Sequence, residues 1–229
     1  MKKIIALVLA ALMLLALAAC GRQDTTSPTG QADPNAGTQQ ATLDPNGTAP
    51  AFDMQTSEDK RIVNIGTVDK TLYAAPILVT SFGQSTDAST IDTALKRVGG
   101  TYSYLPQVAA DAVGSYKTMI ICVGASTKGL GQAGIDEKDE VARAQAIMAK
   151  AKETGAQVIF VHIGGETRRG ALSDQLADLV LPQCSYMIVK EDANWDYKFT
   201  KYAEEHSLPL TLIFGQKDTV QVMSDLFSK

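Results

Sequence analysis

The stretch that decides the fold is residues 158–180, VIFVHIGGETRRGALSDQLADLV. It starts as a short apolar run rich in β-branched residues, continues as a glycine-rich polar loop, and ends with leucines at helical spacing. An apolar run without alternation is typical of a strand that is covered on both faces. The stretch therefore predicts a strand, a loop and a helix in succession, which is the repeating unit of an α/β sheet.

Similar apolar runs recur along the chain, and helical patterns lie between them. The five predicted strands are Ile77–Thr80, Met119–Val123, Val158–Val161, Tyr186–Val189 and Leu210–Phe214. The helical patterns cover 91–98, 106–114, 136–154, 172–180, 197–205 and 219–227. This alternation predicts a parallel sheet with right-handed crossovers and helices on both faces.

The expected architecture is a three-layer, doubly wound α/β domain of about five strands, flavodoxin-like or Rossmann-like. Residues 61–68 could add an edge strand. The strand order is not fixed by the sequence, and the orders 2-1-3-4-5 and 3-2-1-4-5 are both considered. The first would place the loop after the first strand against the loop after the third.

The N-terminal segment has the features of a bacterial export signal. Two lysines precede an apolar run at residues 4–17, which is shorter than the roughly 20 residues of a membrane-spanning helix. The run closes with LAACG at residues 17–21, which resembles the lipobox of bacterial lipoproteins. By that resemblance residues 1–19 are a signal peptide and Cys20 carries a diacylglyceryl thioether and further acyl chains such as palmitate. The protein would then be anchored in the cell membrane on its extracytoplasmic face.

The next segment has the composition of a spacer. Residues 21–50 contain four Pro, four Gly and six Thr, so residues 20–60 are predicted to be a disordered tether, and 61–229 a single folded domain. Cys122 and Cys184 lie in or beside apolar runs and are predicted to be buried free thiols. The formal net charge is −4 and no basic tract occurs, which argues against a nucleic-acid partner.

Polar residues are concentrated after the first three predicted strands, and the carboxyl ends of parallel strands are where ligands bind. The glycine-rich loops and basic side chains found there suit a carboxylate or a phosphate. We therefore expect a small polar or anionic ligand, which the protein could pass to a membrane transport or envelope partner. No cofactor is predicted, since the phosphate-binding and dinucleotide-binding glycine motifs are missing. The candidate ligand-binding residues are Ser81, Gly83, Gln84, Ser85, Asp87, Ser126, Thr127, Lys128, Gly129, His162, Gly164, Gly165, Glu166, Arg168, Arg169, Ser173 and Asp174.

Two other functions are open at this point. An extracytoplasmic hydrolase or transferase would use Ser85 or Ser126 as nucleophile and His162 as base, with Asp174 or Asp218 as the acidic partner. The G-x-S-x-G elbow of many hydrolases is absent. An envelope interaction module without a small-molecule ligand would instead expose an apolar patch. A zinc site needs three or four ligands, and none is predicted.

Three loop-containing runs resemble an uncharacterised family of bacterial lipoproteins. They are PILVTSFGQSTD at residues 76–87, GASTKGLGQAGID at 124–136 and HIGGETRRGALSD at 162–174. The resemblance covers roughly residues 75–229. It implies an exported, lipid-anchored α/β domain and assigns no activity or catalytic residue, so it supports the architecture and leaves the function open.

Overall fold

The computed structural model describes residues 55–228. Cys20, the predicted signal peptide and the predicted tether up to residue 54 lie outside these residues. A seven-stranded sheet has the order β1-β7-β6-β5-β4-β2-β3, and only β1 runs antiparallel to its neighbour. The strands are β1 Ile62–Ile65, β2 Ile77–Phe82, β3 Ser103–Tyr104, β4 Thr118–Val123, β5 Gln157–His162, β6 Cys184–Lys190 and β7 Leu210–Ile213.

Helices cover both faces of the sheet, so the predicted three-layer α/β class is confirmed. The helices of the described part of the chain are α1 Asp87–Val98, α2 Thr127–Ala133, α3 Glu137–Thr154, α4 Ala171–Val180, α5 Lys198–His206 and α6 Thr219–Phe227. The chain moves from β4 to β7 in one direction, and right-handed crossovers therefore place α3, α4 and α5 on one face. The step from β2 to β3 runs the other way and places α1 on the opposite face, beside α6.

Alternating strand residues supply the two cores. Phe160 of β5 packs in the core beneath α3, α4 and α5, where Ile147 and Leu176 are fully buried. Its neighbour Val161 packs in the core beneath α1 and α6, together with Ile91. Burial on both faces is the reason that these strands appear in the sequence as continuous apolar runs.

All five predicted strands are present, and β1 lies inside the predicted edge strand, whereas β3 and α2 were not predicted. The helix predicted from Pro106 to Gly114 is wrong except for a short 3-10 turn at Ala110–Val113. The Pro106 carbonyl accepts a hydrogen bond from the backbone N–H of Ser81. Pro106 therefore continues the extended segment beside β2 and does not begin a helix.

The short strand β3 accounts for the strand order. The five predicted strands lie side by side in chain order, which is neither of the two orders considered. Counted with β3, the parallel strands follow the flavodoxin-like pattern 2-1-3-4-5-6, in which the order reverses between β2 and β4. The loops after β2 and β4 are therefore neighbours, and the loop after β5 comes next. Within residues 55–228 no helix is both long and apolar enough to cross a membrane.

Candidate functional site

The loops after β2 and β4 are joined by backbone hydrogen bonds at the point where strand order reverses. Ser126 donates its N–H to the carbonyl of Gly83 at 2.8 Å, and Ser85 donates to the carbonyl of Gly124 at 3.1 Å. Between them Gln84 has a left-handed φ of 58° and forms an isolated bridge with the β4 loop. A non-glycine residue in this conformation is held there by its surroundings.

A buried ion pair on α3 holds the β2 loop. The fully buried Glu140 carboxylate accepts hydrogen bonds from the Gly83 N–H at 2.6 Å and from the Gln84 side-chain amide at 3.1 Å. Arg143 contacts both oxygens of this carboxylate at 2.8 Å and also donates to the Ser81 carbonyl. The loop is therefore fixed by charge-assisted hydrogen bonds in the protein interior.

Helix α2 begins directly against the same loop. Ser126 caps it by accepting a hydrogen bond from the Gly129 N–H at 3.1 Å. A Cβ on Gly129 would lie 1.9 Å from the backbone oxygen of Gln84. The glycine is required because the helix backbone approaches the loop more closely than any side chain permits.

Asp87, the first residue of α1, lies at the centre of the three loops. Its carboxylate is buried and accepts a hydrogen bond from the Ile163 N–H at 3.1 Å, while its own N–H donates to the Ser85 hydroxyl at 3.3 Å. Burial raises the pKa of Asp87 to about 6. The N–H groups of Ile163 and Gly164 and the positive charge of Arg168 oppose that rise in pKa.

Arg168 crosses over Gly164 beside this carboxylate. A Cβ on Gly164 would lie 2.3 Å from Cγ of Arg168 and 3.1 Å from Oδ1 of Asp87, so only glycine leaves room for the arginine. Arg168 is half-buried, and its guanidinium has neither an ion-pair nor a hydrogen-bond partner among residues 55–228. Three other arginines of the described chain form ion pairs with carboxylates: Arg61 with Asp218, Arg143 with Glu140, and Arg169 with Asp174 and Asp196.

The adjacent Arg169 forms ion pairs with carboxylates of the protein itself. Its guanidinium binds Asp174 at 2.7 Å and Asp196 at 2.8 Å, and lies against the rings of Trp195 and Phe199. Burial lowers the pKa of Arg169, but hydrogen bonds to Asp196 and Asp174 outweigh this and hold the pKa above its ordinary value. This side chain joins the loops after β5 and β6, and its N–H donors bind carboxylate and carbonyl oxygens of the protein.

His162 ends β5 on the side of α5 and is fully buried. Its Nδ1 lies 2.9 Å from the carbonyl of Val123, which only accepts, so Nδ1 carries the proton. Nε2 is then an unprotonated acceptor, and it has no partner within the described residues. The ring stacks on Phe199, and burial together with the charge of Arg169 lowers the pKa of His162 to about 4. No serine hydroxyl of residues 55–228 is hydrogen-bonded to this ring, so the Ser–His contact of the predicted hydrolase is not formed.

The remaining candidates have varied environments. The Ser81 hydroxyl is buried and has no partner in the part of the chain described, and the Ser173 hydroxyl accepts a hydrogen bond from the Ala125 N–H at 2.8 Å. Thr127, Lys128 and Glu166 are exposed, and Gly165 adjoins Asp192. No three His, Cys, Asp or Glu residues within 55–228 are placed to hold a metal ion.

Sequence reasoning missed residues that build the site from outside the three loops. Glu140 lies four residues before Ala144 and therefore on the buried face of α3. Helical spacing could have indicated from the sequence that this charged residue is buried. Gln216, after β7, donates to the Ile163 carbonyl at 3.1 Å. Asp196, which pairs with Arg169, follows β6 and had no distinguishing spacing.

The fold and the site define a flavodoxin-like α/β domain with a polar carboxyl edge. The chain belongs to the family described as domain of unknown function DUF6305, whose model matches residues 74–227. This agrees with the resemblance to a family of unknown function. A search of curated proteins finds no match.

Several solved structures are similar at a distance. The VC2308 protein is 14% identical with a TM-score of 0.34, over 65% of this chain and 82% of that one. A Bacteroides fragilis protein that carries the name acylhydrolase is 11% identical with a TM-score of 0.29, over 62% and 71%. A GDSL-like lipase from Bacteroides thetaiotaomicron is 12% identical with a TM-score of 0.27, over 58% and 65%. Likenesses at this level do not identify a function, and the fold class follows from the sheet order.

Proposed function

We propose that this protein is a membrane-anchored, extracytoplasmic lipoprotein that binds a small anionic ligand at the carboxyl edge of its sheet. The ligand would lie over the loops after β2, β4 and β5. The observation that carries the proposal is Arg168, a half-buried arginine at this edge whose guanidinium forms no hydrogen bond or ion pair within residues 55–228. Arg168 acts on the Asp87 carboxylate through its charge, but its N–H donors bind no protein group within residues 55–228, so they are open to charge-assisted hydrogen bonds with an anionic ligand.

Two features of the edge support this assignment. Lys128, in the first turn of α2, is exposed and forms no ion pair within residues 55–228, so it adds a second positive charge beside the β2 loop. The loops are held by the Glu140–Arg143 pair and by the hydrogen bonds around Asp87. A site that is rigid before binding loses less conformational entropy when the ligand arrives.

Binding can be measured with the protein's own fluorescence. Trp195 is the only tryptophan in the sequence, and it lies at the same edge against Arg169. Titration with small carboxylates, phosphates and sulfate should change its emission and raise the midpoint of thermal unfolding.

The decisive variant is Arg168→Gln, with Arg97→Gln as the matched control. Arg97 is an exposed arginine in the last turn of α1, so it lies at the opposite end of that helix from Asp87. We expect Arg168→Gln to weaken binding by about tenfold or more, since a charge-assisted hydrogen bond contributes about 1.5–3 kcal/mol, and Arg97→Gln to leave it unchanged. No binding by any anion, or equal binding by both variants, would overturn the proposal.

The membrane anchor is tested separately. Cys20→Ala should abolish the incorporation of labelled palmitate and release the protein from the membrane fraction. Incorporation that persists in this variant would contradict lipidation at Cys20. The result does not depend on the ligand site, so the two parts of the proposal can fail independently.

No specific observation supports either of the two alternative functions. The hydrolase lacks the contact between His162 and a serine hydroxyl within the described residues. The interaction module predicts one apolar patch, but the large apolar side chains that are exposed within residues 55–228 belong to separate elements: Leu72 precedes β2, Leu105 follows β3 and Phe214 follows β7. Four strands separate β3 from β7 in the sheet.

A further inference from the structure

We infer that anion binding at this edge is coupled to the uptake of a proton, and that Asp87 is the group that takes it up. The site binds its anion more tightly when Asp87 is neutral than when it is ionised. This rests on the proposed anion site at Arg168 and adds its regulation by pH. Three features support it: the burial of Asp87, the groups that face it, and the loop that joins it to Arg168.

Asp87 is a buried carboxylate that uncharged donors hold in place. The residue is 1% exposed, and its carboxylate accepts a hydrogen bond from the Ile163 N–H at 3.1 Å. The Gly164 N–H and the Ser85 hydroxyl also favour the ionised form through hydrogen bonding. Burial outweighs these donors and raises the pKa of Asp87 to about 6. Asp87 therefore changes its charge just below neutral pH.

The elements packed around Asp87 present few other groups that take up a proton in this range. Strand β4 presents the Cys122 thiol, which stays neutral because burial raises its pKa well above the ordinary value. The loop after β7 presents Gln216, which does not titrate, and Asp218, which is paired with Arg61. The loops after β2 and β4 present hydroxyl groups and glycines. A proton taken up among these neighbours therefore resides on Asp87.

Arg168 is the charge that links Asp87 to the ligand. Its positive charge lowers the pKa of Asp87 and so opposes the effect of burial. The two residues also meet on one short loop, where Asp87 accepts the Ile163 N–H and the side chain of Arg168 crosses over Gly164. An anion bound to Arg168 offsets this positive charge, so it raises the pKa of Asp87. By reciprocity, protonation of Asp87 tightens anion binding by the same factor.

The coupling gives the site a direction of response. A protein on the extracytoplasmic face would hold its anion more tightly in acidic surroundings and release it as the pH rises through the pKa of Asp87. The carboxylate thus has two roles at this edge. It holds the loop after β5 through the Ile163 N–H, and it competes with the ligand for the charge of Arg168.

The test is a series of anion titrations of the whole folded protein at pH 7.5 and pH 5.5 and at constant ionic strength. Sulfate, methanesulfonate and lactate stay ionised between these pH values, so a change in affinity reports on the protein. With Trp195 emission as the readout, we expect the affinity of the tightest binder to rise about fivefold or more at pH 5.5, the lower end of the coupling typical of linked sites. Calorimetry at pH 6.5 in two buffers of different ionisation enthalpy should show proton uptake on binding.

The decisive variant is Asp87→Asn, with Glu191→Gln as the matched control. Asparagine resembles the neutral form of Asp87, so this variant should bind at pH 7.5 about as tightly as the wild type binds at pH 5.5, with no dependence on pH. Glu191, directly after β6, is another carboxyl group whose pKa is raised by burial. Its substitution should leave the pH dependence of binding unchanged. Circular dichroism would establish that both variants are folded, and the proton uptake of the wild type tests the inference without either variant.

Each outcome has a distinct meaning. Binding with equal affinity at both pH values and without proton uptake would overturn this inference and leave the proposed anion site standing. A pH dependence that Asp87→Asn retains, or that Glu191→Gln abolishes, would overturn the role of Asp87. No binding by any anion at either pH would overturn the proposed function itself, and this inference with it.

Discussion

Acid should destabilise this domain through His162. The folded ring is fully buried with a pKa of about 4, against an ordinary value of 6.5 in the unfolded chain. Between these values the unfolded state binds a proton that the folded state does not, so stability falls as pH decreases from 7. From the two pKa values, linkage gives a loss of about 2 kcal/mol in the free energy of unfolding between pH 7 and pH 5.

Asp87 acts in the opposite direction over the same range. Its pKa is raised from 3.8 to about 6 in the folded state, so the folded state takes up a proton first as the pH falls. This contributes about 1 kcal/mol of added stability at pH 5 relative to pH 7. The pH dependence of the wild type therefore understates the effect of His162, and a variant is needed to isolate it.

The variant is His162→Asn, measured by urea unfolding at pH 7 and pH 5. Asparagine offers an N–H toward the Val123 carbonyl and does not titrate, although it leaves a cavity beside Phe199. The variant should be less stable than the wild type at pH 7, and the gap should shrink by about 2 kcal/mol at pH 5. His206→Asn, on the exposed end of α5, is the matched control and should keep the wild-type pH dependence. A gap between His162→Asn and wild type that is equal at both pH values would refute the reasoning.

Three further substitutions test how the carboxyl edge is held. Gly129→Ala should destabilise the fold by about 2 kcal/mol or more in urea unfolding, because its Cβ overlaps the Gln84 carbonyl oxygen. Gly131→Ala, with open space around it in the same helix, should be neutral or stabilising, and equal losses would contradict this packing. Glu140→Gln should cost about 3 kcal/mol or more, since a buried guanidinium loses its counter-charge, and a loss under about 1 kcal/mol would contradict that role. Asp87→Asn should remove the gain of about 1 kcal/mol in stability that protonation of Asp87 contributes between pH 7 and pH 5, because an amide does not titrate, and an unchanged pH dependence in urea unfolding would contradict this.

The central sheet was predictable because its strands are buried on both faces. Continuous apolar runs such as 119–123 and 158–161 are too short for buried helices, and all of them became strands. The two-residue strand β3 has no such signal, since it pairs with β2 only through Leu78 and Val79. Because β3 was not predicted, the strand order could not be predicted either. The chain passes from β2 to β3 in one direction and then returns to β4 on the other side of β2, so the reversal of strand order depends on β3.

The location of the candidate site could be predicted from the sequence, whereas the role of each residue in it was harder to predict. Topology alone put Asp87, His162 and Arg168 near one edge. Burial then separated their roles, since Asp87 and His162 lie on helix and strand positions that the protein encloses, while Arg168 stays half-exposed. Two adjacent arginines, Arg168 and Arg169, look alike in the sequence. The contacts of Arg169 with Asp174 and with Asp196, 27 residues further along, are what show that its guanidinium is occupied.

The most direct test of the central claim is the side-chain Nε–Hε NMR signal of Arg168 during titration with a small anion. Substitution by lysine assigns the signal, and the signal of Arg97 serves as the reference in the same spectrum. We predict that the Arg168 signal shifts and saturates with the same midpoint as Trp195 fluorescence, while that of Arg97 stays in place. An Arg168 signal that does not move at saturating ligand would contradict the assignment of this edge as the binding site.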